Sequence, residues 1–277
     1  MLRHVLLAPL AALVLMGAPA HAADAQLKAA IAGPQRGAAH VARDAARHPE
    51  ATLEFWGVKP KQTIIEVQPG SGYWTEILAP YAKATGGRYI ATAADLENPL
   101  LSEGARKGRA DFEAKYADTA KFGTVGFVNF GAQSKPLGAP GSADMVITAR
   151  NIHNWMWQDK VLDKVMADFH AVLKPGGVLA VEEHRADPRA QIGDARDGYV
   201  ATANVIAAAE KAGFKLAAQS EVNANPKDTK DHPFGVWTLP PSRWTGPGGK
   251  ADPAFDRTKY DAIGESDRMT LRFVKAA

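Results

Sequence analysis

The stretch IIEVQPGSGYWTEILAP, Ile64 to Pro80, decides how this chain is read. It opens on a short apolar run with an acid, turns at Pro69-Gly70-Ser71-Gly72, and continues in a helical pattern. Glycine lets a backbone turn sharply and approach a ligand without a Cβ in the way. A helix that starts there presents unpaired N–H groups to whatever sits in front of it. Glu66 falls near the carboxyl end of the strand, where ligands of open α/β sheets bind. Tight strand–helix turns also use glycine for packing, so the loop alone is compatible with either reading.

Outward from the loop, apolar strand-like runs recur at 63–68, 88–93, 124–130, 144–149 and 178–182. Helical patterns separate them. The clearest places Val161, Leu162, Val165, Phe169, Val172 and Leu173 on one stripe. Such alternation predicts βαβ units and a parallel sheet covered on both faces. A helix is expected over 199–212, closed by Gly213 as a left-handed cap. Two last strands follow, at 215–224 and 269–276, with no helix of crossover length between them, so they should pair antiparallel. The segment SRWTGPGGKADPAF reads as an ordered surface excursion. Residues 23–58 are alanine-rich and charged, with helical spacing at Val41, Ala45 and Leu53; they read as a helical extension on the edge of a main domain spanning 59–277.

The first 22 residues carry Arg3, an apolar run of signal-peptide length and the small-x-small pattern Ala20-His21-Ala22. This predicts a secretory signal cleaved after Ala22, and a periplasmic or secreted protein with no stable membrane anchor. The chain has no cysteine, which suits an oxidising compartment and excludes disulfides and thiolate metal sites. Lys and Arg total 33 against 30 Asp and Glu, scattered rather than clustered, so a nucleic-acid partner is not expected.

Taken in order, four stretches resemble the class I S-adenosylmethionine (SAM)-dependent methyltransferases. Glu66-Val67-Gln68-Pro69-Gly70-Ser71-Gly72 is similar to the family's E/D-x-G-x-G-x-G loop. ADMVITARNIHNW (143–155) is similar to its fourth strand and exit, LKPGGVLAVEEH to its fifth strand, and AGF (212–214) to the lead into its sixth. HNW, EHRAD, NPKDTKDHP and GESDRMTLRF further resemble an exported bacterial subgroup of predicted methyltransferases. The resemblance implies a Rossmann-like α/β fold with a seven-stranded, mostly parallel sheet in the order 3-2-1-4-5-7-6. It also implies SAM as cofactor, a small-molecule acceptor, and cofactor contacts from Glu66, Gln68, Gly70, Gly72, Tyr73, Asp95, Arg150 and Asn151. Two positions depart from the pattern. Gln68 stands at the first glycine, its amide either donating to the cofactor's carboxylate or pointing into the layer covering the sheet. The acid for the ribose hydroxyls would fall near Ala93, and the nearest acids are Asp95 and Glu97.

The exit of the fourth strand, Arg150 to Trp155, is the richest polar cluster. His153 is the candidate general base, because an imidazole exchanges protons near working pH. Trp155 is either an aromatic wall of the acceptor site or a core residue. Alternation along the fifth strand puts His184 with Val178, Ala180 and Glu182 on one face, and Glu183 with Leu179 and Val181 on the other. His184, at the carboxyl end, is the second catalytic candidate, with an ion pair to a nearby acid as the plainer role. His153, His184, Asp228, Asp231 and His232 supply nitrogen and oxygen donors. No two of the histidines share the i, i+4 spacing that grips zinc, so no metal is expected. Asp267 and Arg268 are expected to pair with each other. Because SAM is made in the cytoplasm, the alternative is a non-catalytic periplasmic ligand-binding protein on the same scaffold. A nicotinamide oxidoreductase fits less well, for want of the full G-x-G-x-x-G pattern.

Overall fold

The first strand, β1 (Thr63–Val67), runs through the middle of the protein, buried from Ile64 onward. It alternates between two apolar layers. Ile65 and Val67 face a core that includes Val165, Phe169 and Leu179. Ile64 faces a second core built on Trp56, Trp74, Ile77 and Leu78. A strand buried on both faces is what helices on either side of a parallel sheet require. The computed structural model describes residues 24–158, 160–188 and 195–276; the expected signal segment, residues 1–22, lies outside them.

Around β1 the sheet is completed by β2 (Arg88–Ala94), β3 (Val125–Phe130), β4 (Ala143–Ala149), β5 (Leu173–His184), β6 (Phe214–Ser220) and β7 (Arg268–Lys275). Counting sheet strands alone, the order is 3-2-1-4-5-7-6. The β1–β2, β1–β4, β2–β3 and β4–β5 pairs are parallel, with Glu66 opposite Ala91 and Ile147. β7 lies antiparallel between β5 and β6, as the missing crossover helix requires. A four-residue extended stretch, Pro233–Val236, stays outside the sheet.

The order reverses between β1 and β4, which opens a crevice at their carboxyl ends. Helix α5 (Thr75–Thr85) follows the glycine loop and ends on Gly86 in the left-handed region, and α6 (Glu103–Lys115) and α7 (Thr119–Phe122) lie between β2 and β3. Beyond β4, the short helix α8 (Ile152–Met156) begins directly after Asn151. The expected apolar stripe forms helix α9 (Val161–Val172), with Val165 and Phe169 fully buried.

The segment before β1 forms four short helices: α1 (Ala25–Ala32), α2 (Ala38–Val41), α3 (Asp44–Arg47) and α4 (Pro49–Trp56). Their apolar side chains Leu27, Leu53 and Trp56 enter the same core as α5 and β1 rather than resting on an edge. They are also tied to the glycine loop. His40 hydrogen-bonds Glu76 through Nδ1 at 2.8 Å and Ser71 Oγ through Nε2 at 3.0 Å. Gly37 N donates to the same Glu76 carboxylate at 2.9 Å. This attachment brings Arg47, at the end of α3, over the crevice.

Candidate active site

The crevice is a cavity of about 230 Å³ lined by the glycine loop, the β4 exit, the end of β5, Arg47, and Trp237 with its neighbours. Gly70, at φ 59°, would present an added Cβ to open space, so this backbone borders free volume. Gly72, at φ 92°, has a different constraint: a Cβ there would lie 1.8 Å from the Tyr116 hydroxyl. One glycine faces the ligand space and the other faces a packed tyrosine.

Gln68 adopts φ 46°, the left-handed conformation for which a glycine would be the easier choice. Its backbone N–H donates to Thr92 Oγ1 at 2.8 Å, and its Oε1 accepts from Trp155 Nε1 at 3.1 Å. Trp155 is therefore a core residue, packed between Phe130 and Phe169, not an acceptor-site wall. The aromatic wall is Trp237. Its ring meets His153 edge-on at 5.8 Å and stacks on Trp244 at 5.4 Å.

Glu66 borders the cavity but is held inward by the hydroxyls of Thr75 and Tyr89. Burial pushes its carboxyl up to about 7, against the pull of those two donors. Tyr73 donates its hydroxyl to Asp44 at 2.6 Å, and the Arg47 guanidinium covers its ring at 4.5 Å. Asn151 ties β4 to β1, donating to the Val67 carbonyl at 2.9 Å and to Thr148 Oγ1 at 3.2 Å. Arg150, at φ 61°, turns its side chain toward Glu182, with Nε 3.8 Å from the carboxylate.

β2 extends one residue beyond the expected Ala93, so the residue leaving the strand is Asp95. Asp95 is buried and accepts from Glu97 N at 3.0 Å. Glu97 turns outward to Lys135 at 2.8 Å. Of the two acids, Asp95 holds the strand-end position. It does not line the cavity described above.

The catalytic candidates do come together. The rings of His153 and His184 lie 5.4 Å apart. His153 Nδ1–H donates to Glu183 Oε1 at 3.0 Å, and its backbone N–H reaches Oε2 at 3.2 Å. Glu183, which strand alternation places on the opposite face from His184, is fully buried here and orients His153. Because the carboxylate takes the Nδ1 proton's hydrogen bond, the Nε2 lone pair of His153 is left for the cavity. His184 shares a 2.6 Å hydrogen bond through Nδ1 with Ser266 Oγ, not with an acid. Burial pushes His184 well below the ordinary imidazole range, and the charges of His153, Arg268 and Arg47 act in the same direction. It stays neutral.

The polar loop at 225–233 does not join them. Asp228 is buried and binds the Tyr199 hydroxyl, His232 Nε2 at 2.8 Å and Asp267 N at 2.8 Å. Asp231 is exposed and bonded to Thr229. This loop straps down the segment carrying Ser266. Asp267 and Arg268 do not pair with each other either. Asp267 takes Arg185 at 2.9 Å and Lys230 at 3.2 Å; Arg268 takes Glu265 at 2.8 Å and Glu182 at 3.1 Å. The reason is β alternation, which turns adjacent side chains to opposite faces.

Arg47 has no counterpart among the residues singled out by sequence. It is fully buried, and its Nε donates to Glu265 at 3.0 Å. Among the described residues its Nη1 and Nη2 have no hydrogen-bond partner, and neither has Nε1 of Trp74 or Nε of Arg150. Leaving such donors unpaired costs about 1–3 kcal/mol each, more on a charged group. All three residues line the cavity. Orphaned donors around a free glycine backbone fit a ligand with a carboxylate. SAM, which carries one, suits this donor set.

The chain's relatives agree. Residues 65–181 match the family model described as a methyltransferase domain. The ubiquinone/menaquinone biosynthesis C-methyltransferase UbiE of Vibrio campbellii is 26% identical over 216 residues, covering 76% of this chain and 70% of that protein. The enzyme of the same name from Psychromonas ingrahamii is 28% identical over 132 residues, covering 48% and 46% respectively. Among solved structures, the [4+2]-cyclase SpnF superposes with a TM-score of 0.54 at 15% identity, over 84% of this chain and 82% of that one. That likeness concerns the fold, which hosts more than one chemistry. Loop, strand order and matched segment accord in marking residues 65–181 as a SAM-dependent methyltransferase domain.

Proposed function

We propose that the protein is exported and methylates a small acceptor bearing an acidic hydroxyl, of the kind found on a hydroxylated aromatic ring. The observation that carries this reading is the His153–Glu183 pair: a buried imidazole, fixed by a carboxylate on one nitrogen and turned to the cavity with the other. Such a base takes the proton that makes a ring oxygen, or the carbon beside it, nucleophilic. The curated relatives named as quinone-pathway C-methyltransferases support an acceptor of this class.

SAM, when bound, supplies an electrophilic methyl group. The protein's part is to hold and orient. The forked donors of Arg47, with Trp74 Nε1, bind a carboxylate near the glycine loop. Gly70 lets that group approach the backbone. Asp95, at the end of β2, would accept from ribose hydroxyls of a cofactor reaching beyond this cavity. Trp237 closes the acceptor side and gives a flat ring a surface to lie against. His184, neutral and anchored on Ser266, offers the acceptor a second polar contact. Alignment of acceptor and methyl group in this cavity accounts for much of the acceleration, with His153 removing the proton.

Isothermal titration with S-adenosylhomocysteine and with 5′-methylthioadenosine tests the cofactor assignment, since the second lacks the carboxylate. Arg47→Lys keeps the charge beside Glu265 but loses the fork. It should weaken S-adenosylhomocysteine about tenfold to a hundredfold and leave methylthioadenosine unchanged. Asp95→Ala should weaken both. Equal affinities in all three proteins would refute these contacts. Transfer of labelled methyl to hydroxylated naphthalenes and phenols tests the acceptor class, and labelling of amines alone would overturn it. Export is supported by the leader pattern of residues 1–22 and the absence of cysteine. Cell fractionation should recover a periplasmic protein beginning at Ala23, and a full-length cytoplasmic product would contradict export.

A further inference from the structure

We infer that His153, Glu183 and His184 form a binding site for one divalent transition-metal ion at the acceptor end of the cavity. One donor atom from each residue lies within 4.8 Å of the other two. An ion bonded to nitrogen and oxygen at about 2.0–2.2 Å in a tetrahedral or facial arrangement holds its ligands roughly 3–3.6 Å apart. A closure of up to roughly 1–2 Å, made by side-chain rotation, completes the set. Two imidazoles and one carboxylate, with positions left open toward a cavity, are the donor set of zinc and non-haem iron rather than of magnesium or calcium.

The surroundings are arranged as metal ligands require. His184 is oriented through Nδ1 by Ser266, which leaves its Nε2 to the ion. Glu183 is oriented by the backbone N–H of His153 at 3.2 Å and of His184 at 2.7 Å. The nearby guanidinium groups are drawn elsewhere. Arg43, Arg47 and Arg268 converge on Glu265, and Arg268 also pairs with Glu182. The Glu183 charge is thus directed at the two histidines, with no arginine ion pair of its own among the described residues.

The site would have two exclusive states. If the ion takes Nε2 of His153, it occupies the lone pair that accepts the acceptor's proton. If it takes Nδ1, the ring proton moves to Nε2 and covers that lone pair. Either way metal loading removes His153 as a base, and the acceptor's oxygen then meets the ion instead. Metal binding itself does not depend on the methyl-transfer reading, because it is measured with neither SAM nor acceptor present.

The test is a Co²⁺ titration of untagged, chelator-treated protein, read by ligand-field absorption. One Co²⁺ per chain should bind and be displaced by Zn²⁺. Glu183→Gln and His184→Gln should each weaken binding at least tenfold. His170→Ala, on helix α9, should not change it. Trp237 lies 5.8 Å from His153, so Co²⁺ should also quench tryptophan fluorescence, and Trp237→Phe should remove most of that quenching. This arm needs no change in the three ligands, so it stands even where their variants fold poorly. Absence of saturable Co²⁺ binding, affinity unchanged by both ligand substitutions, or quenching undiminished in Trp237→Phe would each overturn the site.

Discussion

His153→Ala should lower the rate of methyl transfer by roughly 10²–10⁴-fold, the usual contribution of a positioned general base. SAM affinity should change little, because the unpaired donors that fit its carboxylate belong to Arg47, Trp74 and Arg150. Glu183→Gln gives the sharper comparison. Glutamine keeps an oxygen for the Nδ1–H of His153 but loses the charge that stabilises the imidazolium formed during reaction. Turnover should drop while the Michaelis constant for the acceptor holds, which a merely structural role would not produce. If His153→Ala retains most of its turnover, alignment alone drives the reaction and His153 only orders the loop.

Gly70→Val and Gly72→Val should fail in different ways, although both lie in one loop. At Gly70 nothing lies within 4 Å of an added Cβ, so the folded protein can accommodate it. The cost is the left-handed backbone, about 1–2 kcal/mol. At about 2–4 °C per kcal/mol for a domain of this size, the melting temperature should fall by only a few degrees. Binding should be lost, because the branched side chain fills the volume the ligand's carboxylate approaches. At Gly72 the added Cβ would strike the Tyr116 hydroxyl at 1.8 Å, and that hydroxyl is buried in an aromatic cluster with Phe112 and Phe122. Overpacking of about 1–3 kcal/mol adds to a comparable backbone strain, so melting should drop on the order of 10 °C. Calorimetry beside titration with S-adenosylhomocysteine separates the two. A Gly72→Val protein as stable as wild type would mean Tyr116 moves freely, and the packing argument would fall.

The polar network explains why several residues read locally as catalytic or bland turned out otherwise. Trp155 stands in a polar exit loop, where an aromatic suggests a ligand wall. The loop instead turns straight into α8 and carries the indole into the core, against Phe169. Gln68 looks like a broken glycine motif. Yet its left-handed backbone preserves the turn, and its side chain is used to hold Trp155. Glu183 alternates away from His184 along β5, which hides it from any reading by period. It becomes a partner of His153 because α8 crosses the end of β5.

Local period and chain order account for the architecture. Apolar strands alternating with an amphipathic helix imply the doubly covered parallel sheet. The missing crossover helix before 269–276 implies the antiparallel closing strand. The Glu66–Gly72 motif locates the ligand end, because glycine's conformational freedom is a property of the residue itself. Which side chains meet there depends on how the elements pack. Arg47 comes from a short helix in an alanine-rich segment and reaches the cavity because His40 and Gly37 fasten that segment to Glu76 beside the glycine loop. Ser266 meets His184 across 82 residues, and Arg47 meets Glu265 across 218. Hydrogen bonds of that span leave no periodic trace. They follow from how packed elements bring distant residues together, and burial then makes each unpaired or paired charge count.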